Sequence, residues 1–515
     1  MDRKPPHLHA PSLREPPPSA SPRGLRPGIS LALGRELIRH AERAMVRASD
    51  AALVRGNRAR LLVDGPVAFE AWLGAIAAAR HWIHLENYIV RDDATGRTFR
   101  EALAERARAG VRVRVLYDWL GCWATPTRFW KPLREAGAEV RAFAPPTLND
   151  PMNWLRRDHR KVVCVDGEYA SIAGMCIGDE WAGDPAAGVP PWRDTGVELR
   201  GPVVAVIARA FARAWAFAGA PLPPDELPPL HGSRHIGDVS VRVVEGEPGR
   251  SRIYRLSQLV AVGVERRLWI TDPYFVLPPA MTEALAAAAR DGVDVRVLMP
   301  AYNNWPVVGG MARAGYRPLL EAGVRLFEWE GPMIHAKTAV ADGVWSRVGS
   351  SNLNLASLLG NWELDVAVLD RDFAREVEEL FLQDMSSSVE ITLRRYLTRG
   401  MRLVERRPVE ARPADGAAEL ESAREARRRA PRGSGIGRKL SRLARAGSVL
   451  GRALIGQRTL ASEDTGWIGA IAFALIALAA LGVWQPRLLA WPLAFFLFWL
   501  GVASLSRIRS GRGRG

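Results

Sequence analysis

Apolar positions along the chain fall into two periods, and where they switch predicts the architecture. From Ile29 to about Val54 they recur at helical spacing (Leu31, Leu33, Leu37, Ile38, Ala41, Met45), predicting an amphipathic lead-in helix. A doubled pattern follows. Residues 102–118 and 284–300 match without a gap at most positions, and each reads as a helix ended near Gly110 or Gly292. A strand then follows in which valines alternate (Val111, Val113, Val115; Val293, Val295, Val297). Upstream of each copy lies an apolar strand closing on an acidic residue and a tyrosine, Glu86-Asn87-Tyr88 and Asp272-Pro273-Tyr274. Downstream of each comes a Glu-Ala-Gly turn, at Glu135 and Glu321, and another strand. Four matches in one order indicate an internal duplication of about 180 residues, and so two α/β repeats, expected at 29–220 with the lead-in helix and at 235–400.

The flanks differ in pattern. Residues 1–28 are proline-rich, hold no secretory signal and read as a disordered tail. Residues 401–464 read as a basic linker whose last part, from Ile436, sets leucines among six basic groups, as in a helix lying on an anionic surface. Thr465–Pro486 and Leu488–Ser506, 22 and 19 residues without a charge, are each long enough to cross a hydrocarbon core of roughly 30 Å, with a turn at Gln485-Pro486-Arg487. Arginines outside both ends predict a transmembrane helical hairpin at 465–506 with both flanks in the cytoplasm. A hairpin buried in a soluble core is the alternative.

Charge sharpens this picture. The net +16 is carried by the ends: residues 1–30 hold five basic and two acidic groups, residues 401–515 hold 20 and eight, and the middle is nearly neutral. A duplex-binding enzyme carries its basic footprint on the folded domain, so nucleic acid is not an expected partner. The three cysteines give no disulfide framework and suit a reducing compartment. Of 71 basic side chains only five are lysines, which makes each lysine informative.

Two of the five fill one motif. His159-Arg160-Lys161 is followed by Asp166, and His335-Ala336-Lys337 by Asp342 at the same spacing. At this chain's own frequencies H-x-K-x4-D is expected by chance roughly 0.004 times. On an extended strand, residues i and i+2 share a face, so each histidine and lysine would project together. One imidazole can attack phosphorus while the other protonates the leaving alkoxide and then deprotonates the acceptor. The ammonium groups neutralise phosphate oxygens. No cofactor is required, and no carboxylate or Cys/His cluster has metal-ligand spacing. Asp166 and Asp342, counted with the catalytic motif, are expected to order the turn after the strand. Gly349-Ser350-Ser351-Asn352 offers Ser350 and Asn352 as substrate-binding donors to phosphate oxygens. Asp194 and Glu363 are expected to orient the imidazoles through Nδ1. Arg156, Arg157 and Arg160 are candidates for headgroup recognition, balanced against ordinary surface arginines.

On these motifs the chain resembles the phospholipase D superfamily, and within it the bacterial cardiolipin synthases of that type. The resemblance also rests on Glu86-Asn87-Tyr88-Ile89, Arg91-Asp92-Asp93, Gly174-Met175-Cys176-Ile177-Gly178-Asp179-Glu180, Trp192-Arg193-Asp194-Thr195 and Gly349–Leu353, and spans about 55–400. It implies paired α/β/α sandwich domains sharing one active site, and a phosphatidyl–histidine intermediate on His159 with His335 as acid and base. It also implies phospholipid substrates, phosphatidylglycerol among them, and an anionic partner membrane, the bacterial inner membrane, with the catalytic part facing the cytoplasm. Hydrolysis to phosphatidic acid is the alternative outcome, and a phosphodiesterase or nuclease a more distant one. Two departures stand out. Cys176 occupies the position where the family has asparagine, and the apolar pair is C-terminal where comparable members carry it at the N-terminus.

Overall fold

The computed structural model describes residues 39–147, 153–230 and 234–393. All lie in one compact unit. The expected tail at 1–28, the linker at 401–464 and the transmembrane pair at 465–506 fall outside the described residues. Among those described, no helix is long and apolar enough to cross a membrane. Part of the lead-in helix is seen, as α1, residues 39–49.

The first half runs β1 (Leu53–Val63), α2 (Asp64–Ala78), β2 (Trp82–Asn87), α3 (Ala94–Arg108), β3 (Arg112–Asp118), α4 (Lys131–Glu135), β4 (Glu139–Phe143), β5 (Arg157–Asp158), β6 (Lys161–Val165), β7 (Tyr169–Ala173), α5 (Asp179–Ala182), β8 (Thr195–Arg200) and α6 (Val203–Phe217). The second runs β9 (Val239–Gly246), α7 (Arg252–Gly263), β10 (Arg267–Thr271), α8 (Pro279–Arg290), β11 (Asp294–Pro300), α9 (Pro306–Ala314), α10 (Tyr316–Ala322), β12 (Arg325–Trp329), β13 (Thr338–Ala341), β14 (Trp345–Gly349), β15 (Asn361–Leu369), α11 (Arg371–Ser386) and β16 (Ser388–Ile391).

The duplication is visible in the strand order. Starting from the antiparallel β1–β9 pair, one direction reads β1-β8-β7-β6-β2-β3-β4 and the other β9-β15-β14-β13-β10-β11-β12, with β16 added at that edge. The halves are thus related by a pseudo-twofold axis between β1 and β9. Local sequence explains the matched elements. Asp93 caps α3 by accepting from Gly96 N at 2.8 Å, and Pro279 opens α8 at a position needing no amide hydrogen. Gly110 (φ 89°) and Gly292 (φ 95°) end these helices in the left-handed region, where a Cβ is strained.

The repeats differ by one residue at the strand carrying the tyrosine. Glu86 lies opposite Val162 and Asn87 opposite Lys161, whereas Thr271 lies opposite Thr338, the residue after Lys337. Asn87, not Glu86, is therefore the counterpart of Asp272. The extra residue before Tyr274 is taken up by a turn in which Tyr274 N donates to Asp272 Oδ1 at 2.9 Å.

Three of the four apolar clusters among the described residues hold the layers. α2 and α3 pack Trp72, Phe69, Phe99 and Leu103 on one face of the first half, and α7, α8 and α10 do the same for the second with Leu256, Leu285 and Leu319. The third core is common to both halves: Val162, Val197 and Ile207 pack with Val340, Val366 and Phe381. The free cysteines, Cys122, Cys164 and Cys176, are all buried.

Candidate active site

The two motif histidines lie outside the strands that follow them, and of the two lysines only Lys161 is on one. His159 precedes β6, which starts at Lys161, and His335 precedes β13, which starts at Thr338. Instead the backbone before each histidine pairs with the other half. β5 runs parallel to the start of β15, and His159 N donates to Trp362 O at 2.8 Å. On the other side of the pseudo-twofold, Arg193 bridges Ile334 and His335 N donates to Arg193 O at 2.7 Å.

This exchange has a chemical result. His159 Nδ1 lies 3.0 Å from Glu363 Oε2, and His335 Nδ1 lies 2.8 Å from Asp194 Oδ2. Each imidazole is oriented by a carboxylate from the opposite half. With Nδ1–H donated to the carboxylate, each Nε2 keeps its lone pair for chemistry. Asp194 and Glu363 are buried completely, and the histidines nearly so. Burial pushes His335 down to about 3, with the Lys337 ammonium adding to it. Burial likewise lowers His159, aided by Lys161 and opposed by Glu363. Burial alone would raise Asp194 and Glu363, but the facing histidines and lysines outweigh it and hold both carboxylates below their ordinary range. At neutral pH the resting site therefore holds two neutral imidazoles and two carboxylates.

The lysines share the site. Lys337 Nζ is 3.1 Å from His335 Nε2, and both lysines reach back to the carbonyl of their own histidine. Lys161 Nζ lies 4.9 Å from the centre of the Tyr88 ring. Burial lowers Lys337 to about 8, and the Lys161 charge adds to that. The ammonium groups are thus close enough to repel each other, and an anion placed between them would relieve that repulsion.

Aromatic side chains wall both imidazoles. Tyr88 meets His159 edge-on at 4.8 Å, and Tyr274, Trp181 and Trp192 surround His335 at 5.8, 5.7 and 5.9 Å. Sequence reasoning left these aromatics out of the site, although a tyrosine in both repeats was the signal for them.

Other expected residues take different roles. Asp166 accepts backbone N–H groups of Arg80, His81 and Trp82 at 2.7–2.9 Å, and Asp342 those of Glu265, Arg266 and Arg267 at 2.9 Å. Both lie beyond the far ends of β6 and β13 and clamp the hairpin turns, at positive φ. Ser350 donates its hydroxyl to Glu363 Oε2 and accepts from Leu364 N at 2.9 Å, so it steadies the carboxylate. Asn352 makes one weak bond, Nδ2 to Ser357 Oγ at 3.3 Å, and its buried Oδ1 has no partner, which leaves the amide available to a ligand. Its first-half counterpart, Cys176, is a buried thiol raised by burial despite the nearby Lys161. The halves differ here too: Gly174 stands where the second half has Ser350, and Asp194 receives Trp181 Nε1 (3.1 Å) and Thr195 N (2.8 Å) instead. Gly174 is required, because a Cβ there would meet Asp194 Oδ1 at 2.3 Å.

Arg160 corrects the headgroup expectation. It is fully buried on the opposite face, donating to the Glu363 and Ala210 carbonyls at 3.0 Å each. It is a clamp between halves. Arg193 is its partner in function: it holds Asp384 of α11 with two bonds of 2.9 and 2.8 Å while bonding the carbonyl of Asp194. Arg157 pairs with Asp118 at 2.6 Å. Among the described residues no group of three or more His, Cys, Asp or Glu side chains could hold a metal ion.

Residues 263–385 match the family described as "Cardiolipin synthase, PLD-like domain". Cardiolipin synthase A of Pseudomonas aeruginosa is 37% identical over 371 residues, 70% of this chain and 75% of that protein. The Pseudomonas putida protein of the same name is 35% identical over 356 residues, 68% and 73% of the two chains. Among solved structures, phosphatidylserine synthase of Haemophilus influenzae superposes with a TM-score of 0.54 at 13% identity, over 68% of this chain and 92% of that one, a likeness of fold.

Proposed function

From the premise that this chain belongs to the phospholipase D superfamily, with its bacterial cardiolipin synthases, and is a phosphatidyltransferase, we propose that it makes cardiolipin from phosphatidylglycerol at a membrane. The observation that carries the mechanism is the crossed pair of imidazole–carboxylate contacts, His159–Glu363 and His335–Asp194.

One imidazole Nε2 attacks phosphorus of the first phosphatidylglycerol, and the bond from phosphorus to the headgroup glycerol oxygen breaks. That oxygen takes a proton from the other imidazole, which must be charged at that moment. The phosphodiester anion supplies the reason, since negative charge between Lys161 and Lys337 favours the imidazolium. Glycerol leaves. The second imidazole, now neutral, takes a proton from the headgroup hydroxyl of another phosphatidylglycerol. The oxygen attacks phosphorus, the phosphorus–nitrogen bond breaks, and cardiolipin is released. The family resemblance assigns the attack to His159. Lys161, Lys337 and the Asn352 amide would hold the non-bridging oxygens, and burial would keep water from competing with the lipid alcohol. The uncharged stretches at 465–506 would tether the chain to the inner membrane with the site on the cytoplasmic side.

The test is conversion of labelled phosphatidylglycerol in vesicles by the full chain. Cardiolipin with one glycerol released per molecule is expected, and neither product from His159→Ala or His335→Ala. Phosphatidic acid as the sole lipid product would replace transfer by hydrolysis. Full activity in either variant would remove the two-histidine mechanism.

A further inference from the structure

The loops after β3 and β11 each present a tryptophan five residues beyond the end of the strand, Trp123 past Asp118 and Trp305 past Pro300. Both are turned outward, 76% and 63% exposed, an unusual position for so large an apolar side chain. Each follows a residue that is hydrogen-bonded to the tyrosine beside the imidazole of its own half. Tyr274, edge-on to His335, donates its hydroxyl to Asn304 Oδ1 at 2.8 Å, beside Trp305. Tyr88, edge-on to His159, accepts the Cys122 thiol at its carbonyl at 3.6 Å, beside Trp123. The two indoles therefore flank one site, related by the pseudo-twofold that relates the histidines. Around Trp305 the apolar surface extends over Tyr302, Val307 and Met311, all more than half exposed.

Charge identifies what this surface meets. Residues 119–134 contain three basic side chains and no acidic one, and residues 301–320 contain two basic and no acidic. The segments around both indoles, 119–127 and 301–312, carry no charge at all, and of the cations that follow, Lys131, Arg313 and Arg317 pair with Glu135, Glu328 and Glu321, which leaves Arg128 and Arg134 without a carboxylate among the described residues. Indole favours the boundary between headgroups and acyl chains, uncharged flanks can enter it without desolvating a charge, and Arg128 and Arg134 beyond Trp123 supply attraction to an anionic leaflet.

We propose that these two loops dock the mouth of the site onto an anionic phospholipid surface, with Trp123 and Trp305 inserted at headgroup depth. The inference rests on the reading of the chain as a phosphatidyltransferase for its choice of lipid. Two anchors on opposite rims fix the site over the bilayer, so a phosphodiester reaches the imidazoles without its acyl chains leaving the membrane.

The experiment places a single nitrobenzoxadiazole probe on the full chain through Trp123→Cys, Trp305→Cys or Val262→Cys. Val262 is an equally exposed apolar residue at the end of α7 that leads into β10, away from the histidines, and the native cysteines are buried. The labelled chains are reconstituted in mixed phosphatidylglycerol–phosphatidylcholine vesicles containing lipids spin-labelled near the headgroup. Probes at 123 and 305 are expected to be quenched several-fold more than the probe at 262, and less when phosphatidylglycerol is omitted. Equal quenching at all three positions overturns the proposal. So does a blue-shifted emission at 123 and 305 without quenching, which would mean that protein covers the loops, either the apolar segment at 465–506 or a second copy of the chain. The readout needs no turnover, so its failure is separate from failure of the phosphatidyltransferase assay.

Discussion

Lys337 is buried 3.1 Å from His335 Nε2 with its ammonium lowered to about 8, and two consequences follow from that one side chain. The group is charged below that pH and neutral above it. The kcat/KM of the full chain on phosphatidylglycerol vesicles should therefore fall as pH rises through about 8, where Lys337 loses the charge that receives the phosphodiester. A flat profile to pH 10 would show that another group receives it. Lys337→Arg keeps a charge but not its shape: a planar guanidinium cannot occupy the space of a compact ammonium between the ring and a carbonyl. It should lower kcat/KM at least about 100-fold, measured by labelled lipid transfer, with near-normal turnover refuting the claim. Glu363→Gln should cost about 10²–10⁴-fold in kcat by loosening the His159 tautomer. The lysines were legible in the sequence because they are scarce. Arg160 was not, since the side chain between two functional residues points to the other face and its partners are carbonyls 50 and 203 residues away.

At the scale of elements, the ends of β5 and β15 and the Arg193–Ile334 bridge decide whether the site exists. Arg193 joins the turn carrying Asp194 to α11 through Asp384, both side chains buried. Removing Asp384 leaves the buried Arg193 guanidinium with Asp64 Oδ1, at 3.3 Å, as its remaining carboxylate, so Asp384→Ala should cost somewhat less than the about 3–5 kcal/mol of a fully orphaned buried charge, read by urea denaturation. Asp384→Asn, which keeps one acceptor, should cost less; equal losses would deny the pairing its role. The helices and central strands of both repeats could be read from alternation and from Gly110 and Gly292. The crossing of carboxylates could not, because nothing local to Asp194 or Glu363 says that each faces the histidine of the other half, 141 or 204 residues away. The equivalence of Glu86 with Asp272 was misplaced by one residue for a similar reason: the ladder, not the nearest acid, sets register.

For the whole molecule, one chain contains both imidazoles of its single site, in a common core built from both halves. Mixing His159→Ala chains with His335→Ala chains should restore no transfer activity. Recovery to a sizeable fraction of wild type would mean that halves of different chains combine. The crossed contacts also bear on synthesis of the chain. His159 leaves the ribosome 204 residues ahead of Glu363, about 10–40 s at ordinary elongation rates. Throughout that interval the nascent first half has neither the carboxylate that orients its imidazole nor the Trp362 carbonyl that holds its backbone. A growing polypeptide that carries only the first half also lacks the second imidazole, so two-histidine chemistry can begin only once translation has delivered both repeats.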